Sequence, residues 1–384
     1  MKVVLVHRKN WPYKGPSSSF STFNAHALAR NGVETHLLVG EGSTEPVEKV
    51  IKEYYGLVAH PNLHLHRIPK FAVGPLSSSK PFYWQAYRKA VQLIKGGHTD
   101  AISTRDPGFL PYLLKVRKKT GTKAYYETHN YFMEINREAT QKGDLTAKTK
   151  YHKLEKTYVP QLDGLFCLLS PQAELYAQHI PTTRIHVAHP GVPSYKKPDQ
   201  HLFSHQRIAY IGSLQEQRDF QTLFKAISLM KHTPAKFMII GGRPNEMDYV
   251  NALIDEAGIR DKTEITGWVS YTKLESLLNT VSLGVVPMKD SLYNRALTAP
   301  MKIFDYLSRG IPVVAADLPS AREFLRNGKD GVFYPAGNAI KLAEVLDQVL
   351  TDEQAWSTYS QNAAERADSL TWDRRARQLI EVFS

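Results

Sequence analysis

The stretch APMKIFDYLSRGIPVVAADLPS, residues 299–320, gathers several groups that could do chemistry. Pro300 suits the first turn of a helix, where its missing N–H costs nothing, and Thr298 stands where a cap would. Pro300, Ile303, Phe304 and Leu307 fall at i, i+3, i+4 and i+7, the spacing of a buried stripe. Gly310 stops the helix, and IPVVAA resumes as a buried strand. Asp305 lies well over a quarter-turn from the stripe, so it faces solvent or a cleft. Two readings stand: an exposed helix acid, or a ligand. The unpaired N–H groups of a helix start suit a phosphate, and an acid one to two turns further in can take the two hydroxyls of a ribose. The start formed by Thr298, Ala299, Met301 and Lys302, with Asp305 behind it, describes a nucleoside diphosphate site.

The elements around this stretch must hold it in place. Short apolar runs recur with helical stretches between them: KVVLVH, THLLVG, LHLHRIP, AIST, KAYYETH, GLFCLLS and IHVAHPGV in the first half. RIAYIG, KFMIIGG, EITGWV, LGVVPM, IPVVAADL and GVFYP follow in the second. Strands apolar on both faces and alternating with helices imply parallel sheets covered on both sides. The polar, proline-bearing segment at Ser194–Gln206 reads as a linker. The expected architecture is α/β, with two Rossmann-like domains facing across a cleft. Domain boundaries are set at 1–195 and 207–365, with a terminal helix at 366–384 packing across the domain junction. That helix carries a stripe of Ala376, Leu379, Ile380 and Phe383 that needs a surface to cover.

Composition narrows the class. No apolar run approaches the length of a membrane span, and MKVVLVH reads as a first strand, not as a leader. The one cysteine, Cys167, sits in the apolar run GLFCLLS and fits a core position in a reducing cytosol. The formal charge of +12, from 49 basic and 37 acidic residues, points toward anionic partners. The basic residues are spread through helices and form no tail, which argues against nucleic acid. There is no D-x-D, H-E-x-x-H or calcium-loop pattern, so neither a metal nor a cofactor is expected. A G-x-G-x-x-G opening a helix and a G-x-S-x-G elbow are also missing, against a dinucleotide oxidoreductase and a serine hydrolase.

Several linked blocks carry a family resemblance across Arg207–Leu350. YIGSLQEQRDFQTLFKAI resembles the Y-x-G-R-L-x-x-x-K-G-x-x-x-L-x-x-A block of the retaining family 4 glycosyltransferases of GT-B fold. MIIGG, ITGWVSYTKLESLLNTVSLGVVP, the 299–320 stretch and DGVFYPAGN follow in that family's order and spacing. The first half resembles it more loosely, through NWPYKGPSSSF, ETHN and IHVAHPGVP.

The resemblance implies roles. Asp305 stands at the second glutamate of the family's E-x7-E motif, on the nucleotide ribose. Leu297 stands at the first, where an acid touches the donor sugar, so Asn294, Arg295 and Asp290 are the nearby substitutes. Of the family's basic pair on the diphosphate, Ser213 replaces the first member and Arg218 the second. Arg218 otherwise reads as a surface charge; Arg243 is a second cation. Gly212 belongs to the same block, and backbone groups near Gly267 and Val269 read the base. His129, at a strand end, reads as a structural hydrogen-bonder on its own and as a catalytic residue beside the donor sugar through the resemblance. Gly15 allows close approach of backbone to ligand, or simply forms a tight turn.

The function expected is transfer of a sugar from a nucleoside diphosphate-sugar to a saccharide or lipid-linked saccharide, with retention. A sugar-nucleotide epimerase and a catalytically silent binding scaffold are the alternatives. Between Lys80 and Lys123 there are ten basic residues against two acidic ones, with aromatics interleaved in KPFYWQAYRKAVQLIK. That segment is either a sheet-covering helix with a solvated basic face or a surface for anionic lipid on the inner face of the plasma membrane.

Overall fold

The computed structural model describes residues 1–13, 16–69, 80–134, 145–192, 197–215, 217–232 and 235–384; Gly15 and part of the expected linker lie outside them. The chain divides into two compact units, one of Met1–Gly191 with Trp372–Ser384 and one of Val192–Thr371.

The first unit is built on seven strands: β1 (Lys2–Trp11), β2 (Glu34–Glu41), β3 (Leu63–Ile68), β4 (Ala101–Thr104), β5 (Lys123–Glu127), β6 (Gly164–Cys167) and β7 (Ile185–Val187). They pair in parallel in the order β3-β2-β1-β4-β5-β6-β7. Val3, Val4 and Val6 of β1 are all but fully buried, because helices cover both faces of a parallel sheet. The second unit has six strands: β8 (Arg207–Ile211), β9 (Lys236–Ile240), β10 (Thr263–Gly267), β11 (Leu283–Val286), β12 (Val313–Ala316) and β13 (Gly331–Tyr334). Their order is β10-β9-β8-β11-β12-β13, again all parallel. Both sheets reverse winding direction next to their first strand, between β1 and β4 and between β8 and β11. Such reversals open a crevice at the carboxyl ends of the strands. All thirteen apolar runs expected to be strands are strands, in two Rossmann-like units.

The chain crosses between units at 191/192 and again at 371/372, in place of the expected divisions near 195, 207 and 366. The polar segment before β8 contains a short 3-10 helix, Gln200–His205, with Leu202 buried and the Phe203 ring 5.6 Å from that of Trp356, so it is held by the second unit. The terminal helix runs Trp372–Phe383 and belongs to the first unit. Ala376, Leu379 and Phe383 are buried, the Phe383 ring lies 5.1 Å from that of Tyr125, and Arg30 pairs with Asp373 at 2.9 Å.

Candidate active site

In the second unit, the loop after β8 and the loop after β11 meet where the sheet reverses. Arg218 forms an isolated bridge with Met288, and Lys289 N donates to Gln217 O at 3.3 Å. Asn294 ties the two loops together, its Nδ2 donating to Gln217 O at 3.0 Å and to Lys289 O at 2.8 Å. These bonds fix the backbone that carries Arg218.

Gly212 follows β8 directly at φ 127°, and Gly241 follows β9 at φ 120°; both conformations belong to glycine. A Cβ on Gly241 would lie 2.4 Å from Gly212 O, so the close stacking of the two loops depends on its absence. A Cβ on Gly212 would lie 3.9 Å from Lys302 Nζ, which places that ammonium at the mouth of β8.

The helix bearing Lys302 is shorter than expected. It spans Met301–Leu307, with Pro300 at the N-cap and no side-chain cap, because Pro300 has a non-helical ψ of 83°. Thr298 does not cap it; its hydroxyl is buried without a partner among the described residues. A π-turn, Tyr293–Leu297, precedes it and buries Leu297.

Lys302 is 8% exposed and lies over the Tyr210 ring, with Nζ 5.0 Å from the centroid. Burial, reinforced by the charge of Arg218, drives its pKa well below the usual lysine value, and Asp305 only partly opposes this. Nε and Nη1 of Arg218 are buried and have no partner among the described residues. Asp305 is half-buried and its carboxylate makes no hydrogen bond to the described residues. Burial pushes its pKa up to about 6 against the opposing charges of Arg309 and Lys302. Arg309, 7% exposed, donates to Asp305 O at 3.2 Å and to Glu275 Oε1 at 2.8 Å. A buried lysine and a half-buried arginine with two unpartnered nitrogens thus lie near an acid that makes no hydrogen bond to the described residues, an arrangement that suits an anion.

The other expected residues fall around this centre. Arg243 is exposed at the N-cap of the helix Pro244–Glu256, its own N–H donating to Glu246. Arg295 is exposed and held by Asp290, with Nη2 2.6 Å from Oδ2. Asn294 is fully buried and spends its amide on the two loops. Gly267, at φ 67°, accepts from Gly241 N, and Val269 is half-buried beyond it. Ala299 is half-buried and Met301 37% exposed at the helix start. Ser213 contributes its carbonyl, which accepts from the Tyr210 hydroxyl at 2.6 Å.

In the first unit, His129 follows β5 inside a network that the sequence did not reveal. Arg105 Nη2 donates to His129 Nδ1 at 2.7 Å, which leaves the imidazole proton on Nε2, donated to Glu127 Oε1 at 2.8 Å. Burial and the Arg105 charge hold His129 down at about 4, so it is a neutral imidazole near pH 7 with both nitrogens engaged. Burial works against the Glu127 carboxylate, but Arg375, His129 and Arg105 hold it down at about 2. Arg375 reaches it from the terminal helix at 2.7 Å and also bonds Asn24 Oδ1 and the Ala188 and His189 carbonyls. Glu155 accepts from Tyr126, Tyr176 and the Phe132 N–H, bracing the loop that carries His129. Arg105 directly follows AIST, so asking what ends each strand at the winding reversal would have found it. Arg375 and Glu155 left no such signal.

The family described as Glycosyltransferase Family 4 matches residues 24–194, and that described as Glycosyl transferases group 1 matches residues 205–352, so the matches cover most of both units. The chain belongs to the group 1, family 4-like glycosyltransferases. The chain is 24% identical over 180 residues to an uncharacterized glycosyltransferase of Methanocaldococcus jannaschii, covering 46% of this chain and 44% of that one. It thus aligns with less than half the length of that relative. Among solved structures, sucrose-phosphate synthase from Thermosynechococcus elongatus superposes with a TM-score of 0.72 at 16% identity, over 100% of this chain and 98% of that one. HepE of Anabaena in complex with UDP-glucose gives 0.71 at 13% identity, over 99% and 98%. At these identities the likeness is one of fold, the GT-B fold.

Proposed function

We propose that this glycosyltransferase moves a sugar from a nucleoside diphosphate-sugar to a saccharide or lipid-linked saccharide, with retention of configuration, in cell-surface glycan or glycolipid synthesis. One observation carries the reading: buried Lys302 lies near half-buried Arg218, whose Nε and Nη1 have no hydrogen-bond partner among the described residues. A diphosphate supplies negative charge and accepts from Nζ, Nε and Nη1. It favours the charged form of Lys302, and Asp305, further along the same helix, takes the ribose. As the donor bond breaks, the same cations stabilise the charge developing on the departing diphosphate. That phosphate then takes the acceptor's proton on the face it leaves, so no enzyme nucleophile is needed. The UDP-glucose bound by HepE, a protein of the same fold, is in keeping with such a donor.

The reading places the protein in the cytoplasm, against an anionic membrane face. The helix Lys80–Lys95 exposes Trp84 at 51%, with the Arg88 guanidinium 4.8 Å over its ring, an aromatic and a cation suited to the headgroup layer. Vesicles of phosphatidylglycerol should co-sediment the protein at low salt and release it at high salt; salt-independent or absent binding rejects the docking.

The donor site is tested with Lys302→Met and Arg218→Gln. Each should weaken UDP binding by tenfold or more in calorimetry while circular dichroism stays unchanged; full affinity in both overturns the assignment. Incubating wild type with UDP-, GDP- and ADP-sugars, with and without saccharide acceptors, then separates transfer from its rival. Leu297, buried where the family has an acid, favours that rival, a nucleotide-sugar binder without transfer. Released nucleotide that depends on acceptor supports transfer, and binding without turnover supports the scaffold.

A further inference from the structure

At the far edge of the first sheet, three histidines and a glutamate converge on the last two strands. Glu34 and His36 stand two residues apart on β2, and His64 and His66 two apart on β3, so each pair shares a face of the sheet. The parallel register sets His36 directly opposite His64. The His36 ring stacks between the other two, 4.8 Å from His64 at 24° and 5.2 Å from His66 at 21°. His36 Nε2 lies 2.9 Å from Glu34 Oε1, and His36 Nδ1 lies 2.9 Å from His66 Nε2.

One donor atom from each of Glu34, His36 and His64 falls within 4.8 Å of the others. A tetrahedral zinc with bonds of about 2.0–2.1 Å needs its ligand atoms about 3.4 Å apart. Modest side-chain rotation closes that difference, and Glu34 and His64 are exposed while His36 is buried. His66 supplies what metal sites commonly add behind a ligand, a hydrogen bond to the far nitrogen of the ligating ring. With the His36 proton on Nδ1 and donated to His66, the Nε2 lone pair is aimed at the gap beside Glu34. A mixed nitrogen and oxygen set of this kind suits zinc among the divalent ions.

We infer that Glu34, His36 and His64 bind a divalent transition-metal ion, with zinc as the fitting occupant and His66 as the orienting partner. The site joins the outermost strand, β3, to β2 near their first residues, at the opposite end of the strands from His129. It is therefore a staple on the sheet edge and not part of the transfer chemistry. The Lys2 ammonium, 3.5 Å from Glu34 Oε1, is the competing cation that the metal displaces. A pattern search along the sequence misses the site, because its ligands lie about thirty residues apart and meet only through strand pairing.

The test uses untagged, full-length protein stripped with EDTA and titrated with zinc chloride against a chromophoric chelator. One zinc per chain at micromolar affinity or tighter is expected, with a raised melting temperature. His64→Ala and Glu34→Gln, both at exposed positions that leave the fold intact, should each weaken binding at least tenfold. His66→Gln should weaken it less and leave the stoichiometry at one. Binding far below one equivalent, or equal binding by wild type and the His64→Ala and Glu34→Gln variants, overturns the site.

Discussion

Asp305 and Lys302 illustrate how a site can be strained before its ligand arrives. Burial raises the Asp305 pKa from 3.8 to about 6, so the folded, unliganded protein holds that proton more tightly than the unfolded chain does. The sign follows directly: the Asp305 contribution to stability is fully present below 3.8 and is lost as pH rises through about 6. Asp305→Asn should therefore stabilise the unliganded protein at pH 7 by about 1–3 kcal/mol, measured by urea denaturation, while weakening nucleotide binding. In the proposed role, ribose hydroxyls donate to the ionised carboxylate, so UDP-glucose affinity in the wild type should rise as pH passes upward through about 6. The rise should flatten in Asp305→Asn; a wild-type profile level from pH 5 to 7.5 in calorimetry counts against the ribose role.

At the scale of elements, the terminal helix matters for what one side chain does at its far end. Arg375 is 2% exposed and meets a Glu127 carboxylate that is 5% exposed. Removing one partner of a buried pair leaves the other uncompensated, so Arg375→Met should cost about 3–5 kcal/mol in urea denaturation. Glu127→Gln combined with Arg375→Met should recover much of that loss, which a purely packing role for Arg375 does not predict. This element also marks where sequence reading succeeds and stops. The thirteen strands were legible because each is a short run apolar on both faces, a property of neighbouring residues. The stripe Ala376, Leu379 and Phe383 was legible for the same reason. Its destination was not, since the groups that hold it, Asn24, Glu127 and Ala188, are separated from Arg375 by more than 180 residues. The proposed donor site divides the same way. Asp305 stood out locally as an acid off the buried stripe, and Lys302 was named only as part of a helix start. Its burial against Gly212 and its contest with Arg218 arise from strand order, which no single stretch encodes. Thr298 was misread as a cap because the helix begins later than the proline suggested.

At the scale of the whole molecule, two separate sheets with two separate cores predict two cooperative transitions. Differential scanning calorimetry should resolve them, and UDP should raise only the one belonging to residues 192–371, by linkage to the folded site. A single transition shifted as a whole would show that the units unfold together. The path of the chain adds a temporal asymmetry. The second unit is one unbroken run, whereas the first needs residues 372–384 to complete it. On a translating ribosome the first seven strands emerge early, yet Arg375 emerges only after the entire second unit has been made. Until then Glu127 sits in a half-built interior without its strongest partner. The half that is synthesised first is thus the half that finishes last.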